Sequence, residues 1–282
     1  MAFLRTLIGL LAAAWLALAS LPASAQLVSG PAHIRASLLA ERPARPGETV
    51  TLAVLMQPDK GWHGYWTNPG DAGLPITLDW TLPPGVGTGP LAFPVPQTLL
   101  VQGLMNHVYE HDYAVLVPLT VPKDAKPGSV LAISAKANWL ACTEAICVPE
   151  SAELETTVTV GSGTRDPRFD AWRAALPAPL GAKASFVIDA KTVRIGIPLP
   201  KSLALSAPHL FPETDHLIAY AAPQEFRRNG DMLVVTLKRP EIAAATPTEI
   251  TGVLRLNSNG DGVEFTASPG TVPSGGDRKS TR

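Results

Sequence analysis

Proline most limits what this chain can fold into: there are 28 prolines in 282 residues, spread along the whole length. Each removes a backbone donor and fixes φ, which excludes a helical bundle and favours short strands joined by turns. The segments between the prolines fit. Residues 49–56 (TVTLAVLM), 76–80 (ITLDW), 113–121 (YAVLVPLTV), 130–139 (VLAISAKANW) and 152–160 (AELETTVTV) alternate with period two or carry β-branched runs. Arg45-Pro46-Gly47, Asn68-Pro69-Gly70, Pro83-Pro84-Gly85 and Lys126-Pro127-Gly128 mark turns between them. The spacing predicts an all-β fold with an immunoglobulin-like sandwich over residues 26–160.

Residues 161–181 read as a linker with a short helix. Asp166 is its N-cap, Pro167 its first position, and Phe169, Trp172 and Leu176 form one apolar face. Strand patterns return at 184–189, 193–199, 232–238 and 248–257, with hairpin turns at Asn229-Gly230 and Asn259-Gly260. A second, smaller β-rich domain is therefore expected over 182–268. The polar, Gly/Pro/Ser-rich tail 269–282 is expected to be disordered.

Residues 1–25 read as a secretory signal. Arg5 precedes an apolar run at 7–19, Pro22 breaks it, and Ala23-Ser24-Ala25 offers a cleavage site after Ala25. No later stretch approaches 18 apolar residues, so the mature chain is not expected to span a membrane. Export to the periplasm would place Cys142 and Cys147, the two cysteines of the chain, where a disulfide persists. The formal charge of −1 carries no electrostatic footprint for nucleic acid or an anionic bilayer. There is no P-loop, dinucleotide fingerprint or Ser/His/Asp motif context, and no cofactor or metal is expected.

The cysteines lie in Trp139-Leu140-Ala141-Cys142-Thr143-Glu144-Ala145-Ile146-Cys147-Val148-Pro149-Glu150, with strand-like sequence on both sides. If residues 143–146 form a hairpin loop, the cysteines face each other within reach of a disulfide. Such a pair reads two ways. As a staple, so short a ring contributes only about 2 kcal/mol in the loop-entropy account. As an exchange centre, an exposed hairpin tip is open to an attacking thiolate. Residue spacing alone leaves both open, and C-x4-C is not a thioredoxin motif. Glu144 and Glu150 would disfavour a thiolate if they came near it in space.

Three stretches together carry a resemblance. They are Gly61-Trp62-His63-Gly64-Tyr65-Trp66-Thr67-Asn68-Pro69-Gly70-Asp71-Ala72-Gly73-Leu74-Pro75 with Trp80, then Phe93-Pro94-Val95-Pro96 with Tyr109-Glu110, and the cysteine hairpin to Glu150. Over about residues 35–160 this resembles the N-terminal periplasmic domain of the DsbD thiol–disulfide interchange proteins, especially the ScsB-like branch. Residues 184–268 fit that branch's second β-rich segment more loosely, with Phe211-Pro212 and Gln224 as landmarks.

The resemblance implies an immunoglobulin-like domain in which Cys142 and Cys147 shuttle between dithiol and disulfide as a protein-disulfide reductase type of electron carrier. Electrons would come from a membrane thiol reductase. They would pass to periplasmic thioredoxin-fold proteins such as disulfide isomerases, or to cytochrome c maturation factors. Because the chain ends without the family's membrane and thioredoxin domains, it is expected to be reduced in trans, to work with a separately encoded membrane thiol reductase, or to be a remnant. The resemblance favours Cys142 as the sulfur carrying the mixed disulfide. It also implies a cap loop over the pair, whose place is taken by Leu104, Met105, Asn106, His107, Val108 and Tyr109; only Tyr109 matches the family's aromatic-glycine-aromatic cap. Two other functions compete. One is a periplasmic copper-binding protein using Met105, His107, His111 and the cysteines as soft ligands. The other is a non-catalytic β-sandwich interaction module with a structural disulfide. His63 and the aromatic residues around it, Trp62, Tyr65 and Trp66, are expected to be packing residues, and Asn68-Pro69-Gly70-Asp71 to be a turn.

Overall fold

The alternating stretches become paired strands. In the computed structural model, which describes residues 31–242 and 245–274, the chain begins with β1 (Ile34–Ala40), β2 (Thr49–Pro58), β3 (Gly64–Gly70), β4 (Thr77–Thr81) and β5 (Gly87–Thr88). It continues with β6 (Gln97–Val101), β7 (Leu104–Tyr109), β8 (Tyr113–Thr120), β9 (Val130–Cys142) and β10 (Cys147–Thr159). The expected export signal over residues 1–25 lies outside the described residues, as does the tail from 275 onward.

One sheet runs β1-β2-β8-β5 and a second runs β10-β9-β4. Alternate residues close the sandwich between them: Leu52, Val54 and Met56 from β2, Val115, Val117 and Leu119 from β8, Ile133, Ala137 and Trp139 from β9. The intervening residues of β2 and β8, Ala53, Ala114 and Leu116, face the other way. They are covered by helix α1 (Arg168–Ala174) through buried Phe169, with Trp172 and Leu176 beside it. The helix starts one residue later than expected, with Pro167 rather than Asp166 at the N-cap position, and Asp166 Oδ1 accepts the Arg168 N–H at 3.0 Å from just ahead of it. Glu41, just after β1, accepts from Arg165 Nε (2.5 Å) and Arg173 Nη2 (3.0 Å), which ties the helix to the sandwich.

A third small sheet, β3-β7-β6, lies beside the sandwich. Two of its strands depart from the sequence expectations. The cap segment 104–109 is a strand rather than a loop: β6 and β7 form a hairpin closed by Gln102 and Gly103, both at positive φ (51° and 87°). Its pattern is illegible because both of its faces are covered, by different partners. Likewise Asn68-Pro69-Gly70 ends an irregular strand. Asn68 Oδ1 does accept the Gly70 N–H (3.1 Å), as in an Asx turn, but Asn68 is buried and β3 still pairs with β7 at Gly70.

Beyond α1 come β11 (Ala178–Pro179), β12 (Ala184–Ile188), β13 (Thr192–Pro198), β14 (His209–Pro212), β15 (Glu225–Asn229), β16 (Met232–Lys238), β17 (Ile250–Arg255) and β18 (Gly262–Pro269). They make one sheet in the order β14-β17-β18-β12-β13-β16-β15, with β11 paired to β18. Its core holds Ile195, Ile197, Leu233, Val235, Leu254 and Phe265. Order extends past the expected boundary at residue 268. Gly270 N–H donates to Phe186 O (3.0 Å) and Val272 is buried, because one apolar side chain in the tail finds a place on the sheet.

The two β-rich parts belong to one compact unit from His33 onward. Phe211 of β14 joins the sandwich core and meets Trp66 edge-on (5.8 Å). His107 of β7 sits edge-on to Phe211 (4.9 Å) and Tyr220 (5.4 Å), with the His209 ring 6.2 Å away. His107 Nδ1–H donates to Asn68 O at 2.8 Å, which leaves Nε2 buried with no partner among the described residues.

Burial lowers the His107 pKa to about 4 and the His209 pKa to about 3, the latter helped by His107 and by the Arg255 guanidinium. An unfolded histidine protonates near 6.5, so below that pH the unfolded chain binds protons that the fold refuses. Their stabilisation is complete above pH 6.5 and is lost as the pH falls towards 4. Urea unfolding at pH 7 and pH 4.5 should differ by on the order of 5 kcal/mol, about half from each ring. The difference should shrink in His107→Asn. An equal pH dependence in the two proteins would show that His107 is not its source.

Candidate functional site

The β9–β10 register sets Cys142 directly opposite Cys147. Thr143 N–H donates to Ile146 O (2.8 Å), and Thr143 Oγ1 accepts the N–H groups of Ala145 and Ile146 (3.1 Å each), so Glu144 and Ala145 form the tip. The two Cα atoms are 4.1 Å apart and the sulfurs are joined as a disulfide. The opposition expected from the spacing is present. The strand alternation puts Cys142 on the face of β9 that turns away from Trp139 and the sandwich core.

The two sulfurs have unlike surroundings. Cys142 exchanges backbone hydrogen bonds with His63 (2.9 and 3.1 Å), packs with Tyr65, Val108, Leu99 and Leu140, and is 0% exposed. Cys147 is exposed. It opens on a groove of about 210 Å³ whose walls include Ala72, Gln102, Leu104 and Ile146. Leu104 is 48% and Ile146 57% exposed, so the entrance is apolar.

His63 and Tyr65, read from sequence as packing residues, line this groove and are buried. Tyr65 Oη is 4.0 Å from Cys147 Sγ and 3.3 Å from His63 Nε2. Burial raises the Tyr65 pKa to about 12 and lowers that of His63. Tyr65 therefore holds its proton at neutral pH and remains a donor. The segment after β3 fixes its ring: Gly73 has φ +109°, and a Cβ there would lie 2.2 Å from Tyr65 Cε1. The available signal was spacing, since positions 63 and 65 fall on one side of a strand.

The expected cap residues separate by strand face. Leu104 and Asn106 line the groove, and Val108 packs on Cys142. Met105 packs on the second core, and His107 faces Phe211 and Tyr220. Tyr109 stacks on Tyr113 (4.1 Å) and donates to Pro94 O (2.6 Å), inside the sandwich. Met105 and His107 thus sit on the face of β7 opposite the sulfurs, so the soft ligands of the copper reading are dispersed. Glu150 accepts from His33 N (2.6 Å), Ile34 N (3.1 Å) and Trp139 Nε1 (2.9 Å), binding β10 to the start of β1. Glu144 is exposed at the tip and lines the groove.

The family model for the N-terminal region of the thiol:disulfide interchange protein DsbD matches residues 35–159. Among solved structures, the N-terminal periplasmic domain of ScsB from Proteus mirabilis is similar over 85% of this chain and 94% of its own, at 16% identity and TM-score 0.63. That likeness extends the shared fold across both β-rich parts. The major pilin subunit BcpA of Bacillus cereus aligns over 84% of this chain and 66% of its own at 10% identity and TM-score 0.28, too low to carry an argument. No curated protein matches. Among the described residues no helix is long and apolar enough to cross a membrane. Residues 35–159 therefore match the DsbD N-terminal family model, and the described chain has the fold of the ScsB domain, an immunoglobulin-like sandwich followed by a second β-rich part.

Proposed function

We propose that this chain is an exported periplasmic carrier of reducing equivalents, taking electrons from a membrane-embedded thiol reductase and passing them to oxidised thioredoxin-fold proteins or cytochrome c maturation factors. The observation that carries this reading is the asymmetry of the disulfide, with Cys147 exposed in an open groove and Cys142 buried behind it. A staple has no need of a reachable sulfur; exchange does.

In the proposed cycle a donor thiolate attacks Cys147 Sγ. The Cys142–Cys147 bond breaks and its electron pair leaves on Cys142 Sγ. The donor's second thiolate then attacks the donor's own sulfur in the mixed disulfide, releasing Cys147 and leaving the donor oxidised. The reduced pair reverses these steps on a target. Cys147 attacks the target disulfide, one target thiolate leaves, and Cys142 closes on Cys147 to release the other. The Tyr65 hydroxyl is placed to donate a hydrogen bond to the Cys147 thiolate whenever it forms.

Alkylation-trapped mass analysis of the exported protein, with the membrane reductase present and absent, should show dithiol and disulfide forms respectively. A pair locked as a disulfide in both conditions would leave only the structural role.

A further inference from the structure

The second β-rich part touches the redox groove through one strand. β7 presents Asn106 and Val108 towards the disulfide side, and Met105 and His107 to the other part. Asn68 joins the two. Its Nδ2 donates to Pro212 O (2.8 Å) and Tyr220 Oη (3.0 Å), and its carbonyl accepts the His107 Nδ1–H (2.8 Å). At the same place the end of β3 is joined closely to β7. Asp71 accepts the Met105 N–H (2.8 Å) and donates its own to Met105 O (2.8 Å), and a Cβ on Gly70 would lie 2.3 Å from that same oxygen.

Without this attachment the β6–β7 hairpin is held at its base by β3 and by Leu99 and Val108 against Cys142, while its tip over residues 100–104 has only its own two strands to hold it among the described residues. Its pairing with β3 is interrupted by a register shift between Tyr65 and Gly70, and among the described residues no strand pairs with the outer edge of β6. Leu100 (60% exposed) and Leu104 stand out near its tip. A free hairpin with exposed apolar residues beside a groove lowers its free energy by folding onto it.

We propose that the second β-rich part is a clamp that holds the β6–β7 hairpin as a fixed, open wall of the redox groove, with Asn68 and His107 as positioning residues. The inference rests on the thiol–disulfide reading above. It gives the second part a role in exchange: keeping Cys147 uncovered without any motion of a cap. Neither residue touches a sulfur; both act through β7.

The test uses the full chain and a small dithiol, dithiothreitol, as reductant, so no partner is needed. In Asn68→Ala, amide hydrogen exchange at residues 104–108 should speed up about tenfold or more, and reduction of the disulfide should slow severalfold as the hairpin closes over Cys147. Tyr220→Phe, which removes one of the Asn68 contacts, should shift both readouts the same way by less. It carries the test if Asn68→Ala fails to fold. A purely structural role would lower the unfolding midpoint and leave the reduction rate of the folded protein unchanged. Unchanged protection and rate, or faster reduction, in a folded variant would overturn the clamp. A wild-type disulfide that dithiothreitol cannot reduce in the folded state would instead overturn the redox reading on which it rests.

Discussion

Cys142→Ser should capture its redox partners and fail to release them, whereas Cys147→Ser should capture almost none. In Cys142→Ser the exposed Cys147 still attacks a target disulfide, but no second thiol is left to resolve the product, so the mixed disulfide accumulates. In Cys147→Ser the remaining thiol is fully buried beneath Tyr65 and Val108, with its backbone held by His63. Exchange needs both a thiolate and a path to it. Burial denies the path, and a difference of about a hundredfold in mixed-disulfide yield is expected, corresponding to under 3 kcal/mol in access. Both variants should lose turnover completely. Non-reducing gels of each variant mixed with an oxidised thioredoxin-fold protein, together with iodoacetamide labelling rates, measure the asymmetry. Preferential capture through Cys142 would reverse the assigned roles. It would restore the order favoured by the family resemblance, which the burial of Cys142 argues against.

The hairpin bearing these sulfurs was legible because its signals are local. Thr143 to Ile146 is a four-residue break between two strand-like runs flanked by the cysteines, and alternation sets the register of everything that follows. The sandwich was legible for the same reason, since β2, β8 and β9 each turn one face to the core and one away from it. β7 was not, because Asn106 and Val108 serve the disulfide side while Met105 and His107 serve a surface about a hundred residues further along the chain. A strand covered on both sides by unlike partners shows no period. Tyr65 was hidden differently. An aromatic residue beside a core tryptophan reads as packing, and only the placement of β3 against β9 brings its hydroxyl to Cys147. That the two parts share side chains was not legible either, since the linker-like residues 161–181 say nothing about whether Phe211 of the second part enters the first part's core.

Phe211→Ala tests that sharing. Phe211 is carried by β14 of the second part but is fully buried within the sandwich core. It meets Trp66 at 5.8 Å, His107 at 4.9 Å and His209 at 4.5 Å, and the Arg255 guanidinium lies 5.5 Å from its ring centre. Truncation should cost about 3–5 kcal/mol, since none of these neighbours can close the space without abandoning a contact of its own. The way the loss appears matters more than its size. Every tryptophan among the described residues lies between positions 62 and 172, so fluorescence follows the first part, while hydrogen exchange of β13 and β16 follows the second. In the wild type the two probes should report one urea transition, because a side chain common to both cores makes the unfolding of either part expose the other. In Phe211→Ala the transitions should separate, with Phe211→Leu in between. A loss below about 1 kcal/mol with coincident transitions would mean that the junction is held elsewhere. Separated transitions in the wild type would mean that the two parts are stable independently and that Phe211 fills a contact between them without coupling them.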